Sequence, residues 1–260
     1  MHTRDLFDLS GCRALVTGGG RGIGRHIAVG LAEAGAELAI ASRKLDACQA
    51  VASEIEAGGG RARAFAADCA EPTSIDALLD AVGPVDVLVN NAARVWAAPT
   101  LDYPLEGWDK VFDLNVRGLF YLSQQVGKQM LSAGRGSIIQ IASISAFRGA
   151  PDEEQAVIAY NASKGAVVAL TTDLAVKLAP KVRVNAIAPG PFLTDMMNHI
   201  RHDEERLRGY EATLPLARAG EADDIKGVAV FLASEASRFI TGQTLAVDGG
   251  LMAVGPAQPQ

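Results

Sequence analysis

The sequence predicts an α/β fold: one doubly wound parallel sheet of about seven strands, with helices on both faces and a small lid insertion. Three observations predict it. Short apolar segments suited to buried strands alternate along the 260 residues with longer amphipathic stretches suited to helices. A glycine-rich turn, Thr17-Gly18-Gly19-Gly20-Arg21-Gly22-Ile23-Gly24, joins the first strand to the first helix. No proline- or serine-rich linker interrupts the alternation, so residues 1–260 read as a single domain.

The first strand is Arg13–Thr17, and the first helix follows the glycine turn over Gly24–Ala34. Glu37–Ala41 and Leu45–Ala57 repeat the pair. Ala62–Ala66 is the third strand, and Pro72, suited to a first helical position, starts a helix over Pro72–Val82. After the fourth strand, Val85–Asn90, an apolar periodicity over Leu105–Leu131 predicts one long helix. Ser137–Ala142, a helix at Tyr160–Leu178, Val182–Ala188, a helix at Ala222–Ala233 and Thr244–Val247 complete the alternation. Between Leu193 and Leu216 the rhythm breaks. A polar helix-like stretch, Asn198–Gly209, lies there beside a strand's carboxyl end, and residues 193–216 are expected to form a substrate lid. Residues 253–260, with Pro256 and Pro259, read as a tail that is loose or used in assembly.

Bulk composition narrows the function classes. A net charge of -6 and a pI near 5.3 argue against a nucleic-acid surface, which needs a basic face to follow phosphates. No uninterrupted apolar run is long enough to span a bilayer, and Met1–Leu9 mixes Arg4, Asp5 and Asp8 with its apolar residues, unlike a signal peptide. Cys12, Cys48 and Cys69 form no C-x-x-C pair and read as reduced, small buried residues. A cytoplasmic protein without a metal or a membrane partner is expected.

Glycine lets a chain turn with positive φ and approach a ligand closely, while the free amides and dipole of the following helix face negative charge. The turn between Ala14–Val16 and Ile27–Ala34 is therefore a phosphate cradle. Alone it would equally be a tight connection; in the first strand–helix unit of a parallel fold it points to a dinucleotide.

Further motifs follow at predicted element ends. They are Asn90-Asn91-Ala92-Ala93, Asn115 within Asp113–Gly118, Ser143, Tyr160-Asn161-Ala162-Ser163-Lys164, and Pro189-Gly190. With the glycine turn, this set resembles the short-chain dehydrogenase/reductase family, in its compact single-domain branch, over nearly the whole chain. The resemblance implies a Rossmann-like sheet, a nicotinamide cofactor, and reversible hydride transfer to a carbonyl from that cofactor. Two departures stand out. Ala93 occupies a position where the family has glycine, and the segment from Ser143 to Tyr160 is longer than in many members, with residues 150–156 expected to border the substrate.

Tyr160 and Lys164, four apart on a predicted helix, share a face. A phenol ordinarily titrates near 10, so it needs a nearby ammonium and the positive ring of an oxidised nicotinamide to act at neutral pH. Without the family context the pair also reads as surface residues of an amphipathic helix. The resemblance implies that Tyr160 is the general acid/base, Lys164 lowers its pKa, Ser143 polarises the substrate carbonyl, and Asn115 holds a proton-relay water. Ser145 is a rival to Ser143, which is favoured by its place directly after the apolar run Ile138–Ala142.

After the second strand the chain reads Ala41-Ser42-Arg43-Lys44, where a reader of a ribose 2′-hydroxyl would carry Asp or Glu. Arg43 suits a 2′-phosphate, Ser42 offers a hydroxyl, and Arg21 can approach from the glycine turn, so NADP(H) is expected over NAD(H). The other reading makes Arg43 and Lys44 a solvated helix cap. The resemblance further implies cofactor contacts from Gly18, Gly20, Gly22, Ile23 and Gly24. It adds Asp68 and Cys69 after the third strand, Asn91, Tyr160, Lys164, and Pro189, Gly190 and Thr194 near the nicotinamide. Asp68 reads otherwise as a helix N-terminal acid.

Val95, Trp96, Phe147, Arg148, Phe192, Met196 and Met197 are expected to face the substrate. This mostly apolar set favours a medium-sized ketone or secondary alcohol, such as a 3-oxoacyl thioester, over a small sugar. Asp152, Glu153 and Glu154 near the mouth disfavour an acidic carrier protein. An NAD-dependent alcohol, polyol or steroid dehydrogenase is the alternative. A cofactor-sensing binding protein without catalysis is another, opposed by the presence of all four catalytic positions. Leu105–Leu131 and Tyr160–Leu178 resemble the family's dimer-forming helices, implying a homotetramer or dimer.

Overall fold

The computed structural model describes residues 2–193 and 203–254. Seven strands, β1 (Arg13–Thr17), β2 (Glu37–Ser42), β3 (Arg61–Ala66), β4 (Val87–Asn90), β5 (Gly136–Ile141), β6 (Val182–Pro189) and β7 (Thr244–Val247), build one sheet. Its order is β3-β2-β1-β4-β5-β6-β7, parallel at every pairing. The chain runs outward in one direction from β1 and in the other from β4, so the order reverses between those two strands. In such a sheet ligands bind above the carboxyl ends at the reversal.

The helices are α1 (Gly22–Glu33), α2 (Leu45–Ala57), α3 (Pro72–Val82), α4 (Leu105–Phe112), α5 (Leu119–Ala133), α6 (Asp152–Gln155), α7 (Ile158–Leu178), α8 (Glu204–Glu211) and α9 (Ala222–Ala233). Alternation along the strands sorts them onto two faces. Ala14, Val16, Leu38, Ile40, Val87, Val89 and Ile139 pack with Ile27 and Leu31 of α1, Val51 and Ile55 of α2, and Ile225 and Leu232 of α9. Leu15, Ala39, Leu88 and Ile138 face the other way, onto Leu78 of α3, Leu122 and Val126 of α5, and Leu174 of α7. Each such side chain contributes about 1.5–3 kcal/mol on burial, which makes the strand register costly to shift.

The long helix expected over Leu105–Leu131 is present and carries a π-helical turn, Asp113–Gly118, through which α4 runs on into α5 with right-handed helical backbone on both sides. The end of this turn passes so close to the loop after β3 that a Cβ on Gly118 would fall 1.8 Å from Cys69 O. Periodicity alone does not register one extra residue per turn, because both segments keep apolar faces. Where the segment expected to form a lid begins, Leu193 N donates to Gly220 O (3.0 Å) and Gly220 N to Pro191 O (2.8 Å), so the chain on its two sides meets at one place. Among the described residues, no helix is long and apolar enough to cross a membrane.

Candidate active site

The glycine turn takes its shape from the segment after β4. Gly18 (φ 64°) and Gly22 (φ 52°) hold left-handed backbone. A Cβ at Gly24 would lie 2.3 Å from Asn91 Nδ2 and 2.5 Å from Gly18 O. Asn91 fills that space, its Nδ2 donating to Thr17 O (2.9 Å) and Gly18 O (3.1 Å). Thr17 Oγ1 answers by accepting from Asn91 N (3.1 Å) and Ala92 N (3.2 Å) while donating to Val89 O (3.3 Å).

Arg21 is the extended N-cap of α1; no side chain caps this helix and its first turn holds no acid. The first helical bond runs from Arg25 N to Arg21 O (3.1 Å), so the preceding amides and the helix dipole are left for an anion. Gly20 rests on α2, where a Cβ would stand 3.0 Å from Ala47 Cβ, and Ile23 packs on the core side of the turn.

Beyond β2, Ser42 Oγ donates to Lys44 O (3.0 Å) and accepts from Lys44 N (3.2 Å) and Cys48 Sγ (3.1 Å), so its hydroxyl is occupied in starting α2. Arg43 is exposed, and no hydrogen bond or ion pair joins its guanidinium to another described residue. Asp68 closes its own turn, Oδ1 accepting from Ala70 N (3.0 Å). Burial pushes the Cys69 thiol up to about 12. Gly190 N donates to Val247 O (2.9 Å), and a Cβ there would lie 2.6 Å from Asp248 Cα, which fixes the Pro189-Gly190 exit against β7. Thr194, Met196 and Met197 lie outside the described residues.

The expected catalytic positions meet above β5. Ser143 has extended backbone and caps a single 3-10 turn, Ile144–Ala146, its Oγ accepting from Ser145 N (3.1 Å). The same hydroxyl lies by the Tyr160 phenol and favours its charged form. Ser145 Oγ is instead engaged by Gln155 Nε2 (3.4 Å), so of the two serines Ser143 is the one at the phenol. Lys164 is buried, its Nζ donating to Ile141 O (2.6 Å) and standing 5.5 Å from the centre of the Tyr160 ring.

Burial governs the charges here. It pulls the Lys164 ammonium down to about 8, which leaves it mostly protonated at neutral pH. It also pushes the Tyr160 phenol up, with the Ser143 hydroxyl acting in the opposite sense. Burial is therefore the larger influence on the phenol, against the lowering expected from the lysine one helical turn away.

Asn115 sits in the π-helical turn, 1% exposed. Its Oδ1 accepts from Arg94 N (2.8 Å), and its Nδ2 donates to Arg94 O (3.0 Å) and Ser163 Oγ (3.0 Å). Ser163 Oγ in turn donates to Tyr160 O (2.7 Å). Both amide hydrogens are thus spent on protein acceptors.

At the mouth, Ala93 is exposed and its φ lies outside the left-handed region, so alanine fits where the family has glycine. Two apolar residues expected at the substrate pack elsewhere. Trp96 lies on α4, where a Cβ on Gly107 would meet its ring at 2.9 Å, and Phe192 is buried against Gly220. Val95, Phe147 and Arg148 remain exposed. The 150–156 insertion is tied down: Asp152 accepts from Thr100 N (2.8 Å) and Thr100 Oγ1 (2.7 Å), and Ala98 N donates to Ala156 O (2.9 Å). Sequence reasoning missed the side-chain roles of Thr17 and Ser163, whose partners Asn91 and Asn115 lie far along the chain, and of Gln155, which meets Ser145 across the 144–155 loop.

Residues 18–252 match the family described as enoyl-(acyl carrier protein) reductase. A curated relative, the 2-dehydro-3-deoxy-D-gluconate 5-dehydrogenase of Bacillus subtilis strain 168, is 42% identical over 253 residues, covering 96% of this chain and 98% of that protein. A solved short-chain type dehydrogenase/reductase from Mycobacterium marinum superimposes with a TM-score of 0.89 at 39% identity, over 96% of this chain and 99% of that one. The gluconate 5-dehydrogenase of Burkholderia cenocepacia J2315, solved in complex with NADP and tartrate, gives 0.89 at 37% identity, over 98% and 100%. A seven-stranded parallel sheet, a glycine turn at its reversal point and matches over nearly the full length agree, and the chain belongs to the short-chain dehydrogenase/reductase family.

Proposed function

We propose that the protein is a cytoplasmic oxidoreductase that moves a hydride between NADP(H) and a carbonyl or secondary-alcohol substrate. The observation that carries this is the cluster of Ser143, Tyr160 and Lys164 above β5, with hydroxyl on phenol and an unneutralised ammonium 5.5 Å from the ring centre. The residues present fit the cofactor: an uncapped, acid-free N-terminus of α1 suits a pyrophosphate, and Arg43, unpaired among the described residues, suits a 2′-phosphate. NADP(H), when bound, supplies or accepts the hydride.

The chain's own residues supply position and the proton. Tyr160, held protonated by burial, donates to the substrate oxygen in the reducing direction, and Ser143 stabilises the charge growing on that oxygen. Lys164 favours the phenolate that remains. The Asn115 side chain braces the site through Arg94 and Ser163, leaving a relay water to the backbone of the π-helical turn. Tyr160→Phe lowers kcat by about a hundredfold or more while NADPH binding, read by fluorescence, persists. Undiminished turnover would sink the assignment. Exposed Phe120 of α5 and Val176 of α7 support a homo-oligomer; a stable monomer in light scattering would count against it.

A further inference from the structure

Two polar side chains at the mouth are unused by the hydride chemistry. Gln155, half-buried at the end of α6, donates to Ser145 Oγ (3.4 Å), Ser145 N donates to Ser143 Oγ (3.1 Å), and Ser143 meets Tyr160. A line of hydrogen-bonding groups therefore runs outward from the reacting oxygen, and the Asp152–Thr100 contacts hold its outer end in place. Arg148, five residues past Ser143, is exposed, and among the described residues no carboxylate pairs with it. Its charge reaches the half-buried Tyr210 of α8: burial pushes that phenol up and Arg148 pulls it back. The loop carrying Arg148 leaves the end of β5, and α8 follows β6, its neighbour in the sheet, so both belong to the carboxyl edge of the sheet where the Tyr160 cluster lies.

We propose that the substrate is an open-chain polyhydroxy acid, with Gln155 and Ser145 reading a hydroxyl beside the reacting carbon and Arg148 reading the carboxylate. This rests on the hydride-transfer reading above and names its substrate class. A planar guanidinium with no carboxylate partner among the described residues matches a substrate carboxylate in geometry as well as charge. Trp96 and Phe192, which would have made the mouth apolar, are spent on packing. Glu153 and Glu154, exposed on α6, disfavour an anion on their side and leave Arg148 as the end for the acid. In the oxidising direction the secondary alcohol gives its hydride to NADP+ and its hydroxyl proton to the Tyr160 phenolate, the form that Lys164 and the oxidised nicotinamide favour, and a keto acid results.

The test is NADP+-linked oxidation of D-gluconate and D-sorbitol, which share a carbon skeleton and differ in the carboxylate. The wild type should favour gluconate in kcat/KM. Arg148→Gln should lower the gluconate-to-sorbitol ratio by about tenfold to a hundredfold, chiefly through KM, with partial recovery in Arg148→Lys. Gln155→Ala should raise KM for both. Melting curves and NADPH binding identify any variant that has merely misfolded. A ratio unmoved by Arg148→Gln in folded protein overturns the proposal, as does a wild type inactive on gluconate and on a panel of shorter and longer hydroxy acids. In the latter case, Tyr160-dependent reduction of a 3-oxoacyl thioester would preserve the hydride-transfer reading while this one falls.

Discussion

Replacing Asn115 with aspartate changes one side-chain group and should destabilise the protein far beyond an isosteric swap. Nδ2 donates to Arg94 O and Ser163 Oγ, and both bonds vanish when it becomes an oxygen, at about 0.5–1.5 kcal/mol each. Arg94 O then faces a second acceptor, and a carboxylate is trapped at a position 1% exposed. An uncompensated buried charge brings the total to about 3–5 kcal/mol. At about 2–4 °C per kcal/mol for a chain of this size, melting falls by about 6–20 °C. The sign with pH follows from linkage. Burial raises the introduced carboxyl above its unfolded value, so the deficit is full at about pH 8 and shrinks as pH falls through the raised value, where the protonated group again donates. Asn115→Ala loses all three bonds without burying a charge and should show no such pH dependence. Scanning calorimetry across pH measures all of this. An aspartate variant melting within about 2 °C of wild type at pH 8 would refute the brace.

Arg43→Ser should raise KM for NADP(H) by about tenfold to a hundredfold and leave NAD(H) kinetics nearly unchanged. Steady-state comparison of the two cofactors checks it, and a clear wild-type preference for NADH would contradict the 2′-phosphate role. The ultraviolet phenolate signal of wild type minus Tyr160→Phe should titrate above the ordinary value near 10 without cofactor, because burial penalises the charged form, and should move down when NADP+ is added. A midpoint at or below the ordinary value before addition would overturn the burial argument.

Strand positions were legible because buried parallel strands are short, apolar and bounded by turn residues, as at Val182–Pro189. The candidate site was legible through the family resemblance: spacing puts Tyr160 and Lys164 on one helix face, but without the accompanying motifs that pair also reads as a surface pair. What escaped was whatever depends on tertiary approach. The π-helical turn at Asp113–Gly118 ends at Gly118, where the closeness of Cys69 O, on another loop, leaves no room for a side chain. Phe192 and Trp96 carry the composition of a substrate pocket, yet each meets a glycine, Gly220 and Gly107, whose missing side chain makes the room. The burial that raises the Tyr160 phenol in the absence of cofactor was not legible, because spacing shows the lysine and not the packing around the ring.

The segment after β4 connects the two halves of the site mechanically. Asn91 holds the glycine turn by Thr17 O and Gly18 O, and three residues on, Arg94 is held at both its backbone groups by Asn115. Asn115 also holds Ser163, the neighbour of Lys164, whose hydroxyl reaches back to Tyr160 O. One short stretch therefore positions the phosphate cradle against β1 and the phenol on α7. Hydride transfer tolerates little error between a bound nicotinamide and the group that protonates the substrate. Bracing both from residues 91–94 makes their separation depend on two asparagine amides, and accounts for an asparagine at 115, a residue poor in helices and costly to bury.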